Sequence, residues 1–242
     1  MKSLNVFQTV DELNKAAIEY IISIANKAIK ESGRFTISLS GGETPAKIYS
    51  LLSESPFNEL MPWEKTFVFW GDERCVPLDS ERNNAYNAIL LLLSKVAVPK
   101  SNIFRIPVNL APAEAAANYE KTINDFFEVE SPKFDLILLG LGENGHTASL
   151  FPGTEVVNEQ GKGVREVYVK EENTFRITMT APLINSAHHI LFLVTGEKKA
   201  IILKKVLTGS YQPDKYPAQF IKPVNGDLFW FVDSAAASLM NS

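Results

Sequence analysis

The 242-residue chain has a single cysteine, Cys75. One thiol excludes an intramolecular disulfide and any multi-cysteine metal site. It also agrees with a reducing compartment. No apolar run approaches the roughly 18 residues of a membrane span. The first residues, MKSLNVFQTVDELNKA, lack the apolar stretch of a secretory signal, so cytoplasm is the expected location. Excess positive charge is missing too: 24 Lys and Arg stand against 28 Asp and Glu, a formal net charge of -4. That balance argues against a broad nucleic-acid face and leaves room for a small basic pocket. Histidine is scarce, at three residues. His188 and His189 open an apolar run without cysteines or carboxylates at ligand spacing, so they read as structural rather than metal-binding.

What is present is an alternation of helical and strand patterns with no fixed-period repeat or linker, which predicts one domain over residues 1–242. Thr9 and Glu12 resemble a capping box. A helical repeat of apolar residues follows from Leu13 to Ala28, and Gly33 ends it. Strands are expected at Phe35–Leu39, Thr66–Trp70, Phe134–Leu139, His189–Val194 and Leu228–Val232. Ile103–Ile106 is expected as a short strand, and Val164–Val169 and Phe175–Met179 as two more on a sheet edge. Helices are expected from Thr44 (N-cap) and Pro45 (N1) to about Leu52, over Asn84–Val96, Ala113–Phe127 and Glu197–Leu207, with a short closing helix from Asp233. Near-continuous apolar strands between helices imply an α/β fold, a mostly parallel sheet covered on both faces.

Four polar clusters each follow an apolar strand directly: SGGETP, GDERCVP, GLGENGH and TGEKKA. In an open parallel sheet, ligands bind outside the carboxyl ends of the strands, so all four are expected on one rim. Gly41, Gly42, Thr44 and Pro45 have the parts of an anion site at a helix N-terminus, or of a tight turn alone. Arg74 could hold a phosphate or carboxylate oxygen, oriented by Asp72 or Glu73, or form a solvated ion pair. Cys75 beside it reads as a buried structural thiol. Arg176 and Lys198 could reach the same rim and supply the several cationic partners a phosphate requires. His146 lies just past a Gly-rich turn, where an imidazole can act as acid or base. Gly140, Gly142 and Gly145 spell the dinucleotide fingerprint G-x-G-x-x-G. Pro152 and Gly153 follow too soon for the long helix that such a site needs.

At these residues the chain resembles the 6-phosphogluconolactonases, in order and over nearly its whole length. SGGETP resembles the family's S-G-G-x-T-P. WGDERCVPLDSERNN resembles its W-x-D-E-R-x-V-P with a later S-N, and GLGENGHTASLFPG its G-x-G-x-D-G-H-T-A-S-L-F-P-G. FRITMTAPLINSA and TGEKKA resemble its R-x-T and G-x-x-K segments. The HTASLFPG half separates this family from the related glucosamine-6-phosphate deaminases. The resemblance implies a three-layer α/β/α sandwich with a Rossmann-like, mostly parallel central sheet. It also implies hydrolysis of 6-phosphoglucono-1,5-lactone in the pentose phosphate pathway, without metal or organic cofactor. The partner expected is the sugar phosphate lactone alone, with no nucleic acid or membrane, in a monomer or weak homo-oligomer. Carried over by position, His146 is the general base, Arg74 lies near the developing charge, and Asn144 stands beside the base. Gly41, Gly42, Thr44, Arg176 and Lys198 are candidates for phosphate and hydroxyl contacts, and Asp72 and Asn84 for shaping the pocket.

Three positions depart from the pattern. Asn144 stands where the family usually has Asp; an amide can orient an imidazole but cannot stabilise imidazolium by charge. Asn83 replaces a serine, and His188 an arginine for which no functional account follows. Two alternatives stay open at this level: a deaminase-like isomerase acting on an amino sugar phosphate, and a silent sugar-phosphate-binding protein, which Asn144 keeps in play.

Overall fold

A computed structural model describes residues 2–128 and 132–240. In chain order its elements are β1 (Lys2–Phe7), α1 (Val10–Ser32), β2 (Phe35–Leu39), α2 (Glu43–Leu52), α3 (Phe57–Leu60), β3 (Thr66–Trp70), β4 (Asp72–Arg74) and α4 (Asn84–Ala88). Then follow α5 (Pro112–Phe127), β5 (Leu136–Leu139), β6 (Val164–Val169), β7 (Thr174–Met179), α6 (Ala181–Ile184), β8 (His189–Val194), α7 (Ala200–Thr208) and β9 (Asp227–Asp233). Six strands form one sheet in the order β1-β9-β8-β5-β2-β3, every neighbouring pair parallel.

Local chemistry accounts for the element ends. Thr9 caps α1 by accepting from the Glu12 N–H, while the Glu12 carboxylate accepts from the Gln8 N–H. Gly33, at φ 77°, takes the left-handed conformation that closes the helix. Strands β2 and β5 are buried along their whole length, as strands covered on both faces must be. On one face Tyr20 of α1 packs against Phe229 and Phe231. On the other, Phe126 of α5 packs against Phe67 and Phe69, and Phe69 stacks on Phe104 at 4.6 Å. The result is the expected three-layer α/β/α sandwich.

Several local expectations are corrected. The N-cap of α2 is Gly42, with Thr44 and Pro45 inside its first turn. Asn84–Val96 is not one α-helix: α4 ends at Ala88 and Ile89–Leu93 forms a π-helical segment. Ile103 makes only an isolated bridge to Val68. Residues 234–240 form turns, not a helix. β1, unforeseen, adds an edge strand beside β9. The strands at 164–169 and 174–179 do not extend the main sheet. They form a second, antiparallel sheet in the order β4-β7-β6. That sheet positions the site: its register sets Asp72 opposite Thr178 and Arg74 opposite Arg176.

Candidate active site

The carboxyl ends of β2, β3, β5 and β8 meet as their parallel arrangement requires, and the loops after them wall a cleft of about 1120 Å³. The site residues that the resemblance names all line it: Gly41, Gly42, Thr44, Asp72, Arg74, Asn84, Asn144, His146, Arg176 and Lys198.

The loop after β5 holds His146. Gly142 donates its N–H to the His146 carbonyl at 2.8 Å, and Gly145 donates to the Gly142 carbonyl at 2.9 Å. A side chain at Gly142 would place its Cβ 2.1 Å from His146 Nδ1, so this position must be glycine for the ring to lie where it does. Two of the fingerprint glycines, Gly142 and Gly145, therefore shape the loop that holds the histidine. No helix follows Gly145, and the chain instead turns and bridges Thr147 to Leu150. Phe151 supports the imidazole from below, stacked at 4.1 Å.

The Asn144 side-chain oxygen accepts twice, from the His146 backbone N–H at 3.1 Å and from His146 Nδ1 at 2.6 Å. A backbone N–H only donates, so the atom facing it is the amide oxygen. The same oxygen then requires the proton on Nδ1, which leaves Nε2 as the acceptor nitrogen. Burial pushes the imidazole pKa down to about 4. The Arg176 guanidinium and, more weakly, Lys199 act in the same direction, partly opposed by Asp72 and Glu172. The ring is neutral at pH 7.

Behind the imidazole lies a buried ionic network. Asp72 accepts from Ser149 Oγ at 2.6 Å and from Arg176 Nη1 at 3.4 Å. Arg176 Nη2 donates to Glu172, and its guanidinium lies 5.1 Å from the Phe151 ring centre. Arg176 is 5 % exposed, with two carboxylates beside it, and its Nε is buried without a partner. Arg74 is more open: Nη1 donates to the Arg82 carbonyl at 2.7 Å, and Nε has no partner. Glu73, which sequence reasoning offered as an orienter of Arg74, instead caps α4. Its carboxylate accepts from the backbone N–H groups of Arg74, Asn84 and Ala85 at 2.7 to 2.8 Å. Burial outweighs these bonds and pushes its pKa up to about 7. Burial and Glu73 also push the Cys75 thiol up to about 11, which leaves it unactivated.

The glycine loop lies across the cleft. Gly42 has φ 110°, and a Cβ on Gly41 would fall 1.9 Å from Asn84 Oδ1. Asn84 donates to the Asp72 carbonyl at 3.0 Å, and its Oδ1 is buried without a partner. Thr44 joins the start of α2 to the loop after β8 through a 2.7 Å bond to Thr195. Asp233 fixes that second loop by accepting from the Gly196 N–H at 3.0 Å. Lys198 is exposed there, whereas its neighbour Lys199 is half-buried and desolvation lowers its pKa. Sequence reasoning missed Lys199, although the spacing G-x-x-K from Gly196 reaches it and not Lys198. It also missed Ser149, Phe151 and Glu172 as functional neighbours. Ser149 and Phe151 were visible inside the HTASLFPG segment, but Glu172 has no local signal.

The chain is similar to known proteins. The family model for glucosamine-6-phosphate isomerases/6-phosphogluconolactonase matches residues 8–230. A 6-phosphogluconolactonase of Synechocystis sp. is 42% identical over 229 residues, 93% of this chain and 92% of that protein. One from Nostoc sp. is 38% identical over 241 residues, 98% of each. Among solved structures, a 6-phosphogluconolactonase from Trypanosoma cruzi superposes with a TM-score of 0.88 at 28% identity, covering 100% of this chain and 98% of that one.

Proposed function

The chain belongs to the glucosamine-6-phosphate isomerase/6-phosphogluconolactonase family, and on that premise we propose that it hydrolyses 6-phosphoglucono-1,5-lactone with His146 as general base. The observation that carries the base assignment is the pair of bonds from Asn144 Oδ1 to His146, which leaves Nε2 unprotonated in a cleft shared with an anion-type loop. Nε2 takes a proton from water, and the water oxygen bonds to the lactone carbonyl carbon as the C=O pair moves onto oxygen. The tetrahedral oxyanion then collapses, the ring C–O bond breaks, and the departing ring oxygen takes the proton from Nε2. The carboxylic acid formed ionises in solvent. Donors near the carbonyl stabilise the oxyanion, and Arg74, with its unpartnered Nε, is the candidate donor.

The phosphate belongs at the N-terminus of α2, beside Gly42, Thr44 and the lysines after β8, where free N–H groups and cations converge. Held there, it supplies remote binding energy that fixes the ring against the base. Its negative charge also raises the imidazole pKa from its low free value, so substrate strengthens its own base. Arg176, paired with Asp72 and Glu172, acts on His146 through Phe151 and the local field, and its unpartnered Nε keeps it a candidate for a substrate oxygen.

The test is loss of 6-phosphogluconolactone in the presence of purified protein and of His146→Ala. Removing a general base costs about 10²–10⁴-fold. Turnover near the wild-type rate in the variant would sink the base assignment, and no acceleration by the wild type would sink the activity.

A further inference from the structure

A second cleft, of about 470 Å³, lies at the other end of α7 from the lysines of the active cleft. Val206 from α7, Ile221 from the following loop, and Leu228 and Trp230 from β9 give it an apolar side, and Tyr211 and Gln219 also line it. Lys2 and Lys222 stand at its edge. No carboxylate lines it, although the chain has more acidic than basic residues. The active cleft, by contrast, is lined by Glu43, Asp72, Glu143, Glu171, Glu172 and Glu197 as well as its cations. Asp227, next to Leu228 in the chain, is directed to the other face of the strand, where it lies 3.6 Å from His189.

Two further features give the second cleft the character of a binding site. The Lys222 ammonium sits 3.6 Å over the Tyr211 ring centre, so the cation is held in place rather than freely solvated. Among the described residues neither Lys2 nor Lys222 forms an ion pair with a carboxylate. In the floor, Trp230 is 2% exposed and its indole N–H has no hydrogen-bond partner. The ring that lines the cleft carries this N–H, so its signal reports on what fills the cleft.

We propose that this cleft binds a small organic anion with a flat apolar body, an aromatic or cyclic carboxylate, independently of the lactone site. The volume lies within the range of small-molecule pockets. The apolar side favours a hydrocarbon ring over a polyol, which separates this ligand from a sugar phosphate. Two lysines without carboxylate partners, and a lining free of carboxylates, select a negative charge.

Phenylacetate is a suitable probe, with phenylacetamide as its neutral counterpart. Uniformly ¹⁵N-labelled protein is titrated with each, and the Trp230 indole N–H signal is followed after assignment with Trp230→Phe. Phenylacetate is expected to shift that signal saturably. The amide, and the protein carrying Lys2→Glu with Lys222→Glu, are expected to bind at least tenfold more weakly. Both lysines are exposed, so their replacement leaves the core intact. The proposal is overturned if the signal does not move, if acid and amide bind alike, if the double variant binds as the wild type does, or if only His146 responds.

Discussion

One oxygen of Asn144 accepts from two nitrogens of His146, the backbone N–H and Nδ1. An amide thus does what a carboxylate would do for orientation and tautomer, but adds no negative charge. The ring keeps its geometry while its pKa stays low, at about 4.

The pH dependence of turnover follows from that. The acid limb of kcat/KM reports the free protein and is expected near pH 4, well below that of an ordinary histidine. The limb of kcat reports the complex and is expected at higher pH, because bound phosphate favours imidazolium. Rates measured from about pH 3 to about pH 8 check both. Equal limbs near pH 6.5 would show that burial does not control the base.

Asn144→Asp puts a carboxylate beside Nδ1 and favours the charged ring, so the acid limb of kcat/KM is expected to move up by about one unit or more. Asn144→Ala removes the acceptor that fixes the tautomer, and kcat is expected to fall while KM changes little. Unchanged kcat in Asn144→Ala would make the hydrogen bond irrelevant to turnover.

The same shift affects stability. The native imidazole binds a proton less readily than the unfolded one, whose pKa is about 6.5. Between those two values the unfolded state holds more protons, so His146 lowers stability as pH falls from about 6.5 towards 4. Urea midpoints for the wild type and His146→Gln are expected to converge at low pH if the wild type leads at pH 7. A constant gap would contradict the linkage.

Arg176→Met removes the cation from a buried pair and leaves Asp72 with Ser149 as its remaining side-chain partner. Breaking a buried pair in this way typically costs about 3–5 kcal/mol, measurable by urea unfolding. The substitution also removes the charge that most lowers the His146 pKa after burial, so the acid limb should rise. Loss of stability without any movement of the limb would separate Arg176 from the base.

Lys199→Ala is expected to raise KM severalfold more than Lys198→Ala, because the half-buried ammonium is already desolvated and held at the cleft while Lys198 is exposed. Steady-state kinetics on the two variants decide between them. A larger effect at Lys198 would restore the lysine chosen from sequence.

Much was legible in the chain because the relevant signals are local. Mainly apolar runs of strand length at 35–39, 66–70 and 189–194 match their strands to the residue, since an apolar stretch of this length is buried against the helical layers while the polar loops on either side are not. Thr9 and Gly33 bounded α1 for the same reason: caps act on groups within one turn. The convergence of the polar clusters followed from the parallel sheet alone. Where local signals misled, packing prevailed. Gly42 rather than Thr44 caps α2, because Thr44 is engaged with Thr195 across the sheet.

By itself, then, the sequence determined the strand-helix alternation, the rim on which the polar loops gather, and the identity of the histidine, because periodicity and turn chemistry act over a few residues. The tertiary structure alone decided what each charge does there. Arg176 meets Asp72 from 104 positions away because antiparallel β4 and β7 align, and that contact sets a buried ion pair at the wall of the cleft. The low pKa of His146 has the same origin, since desolvation and neighbouring charge depend on what surrounds a group in space, not on what precedes it in the chain.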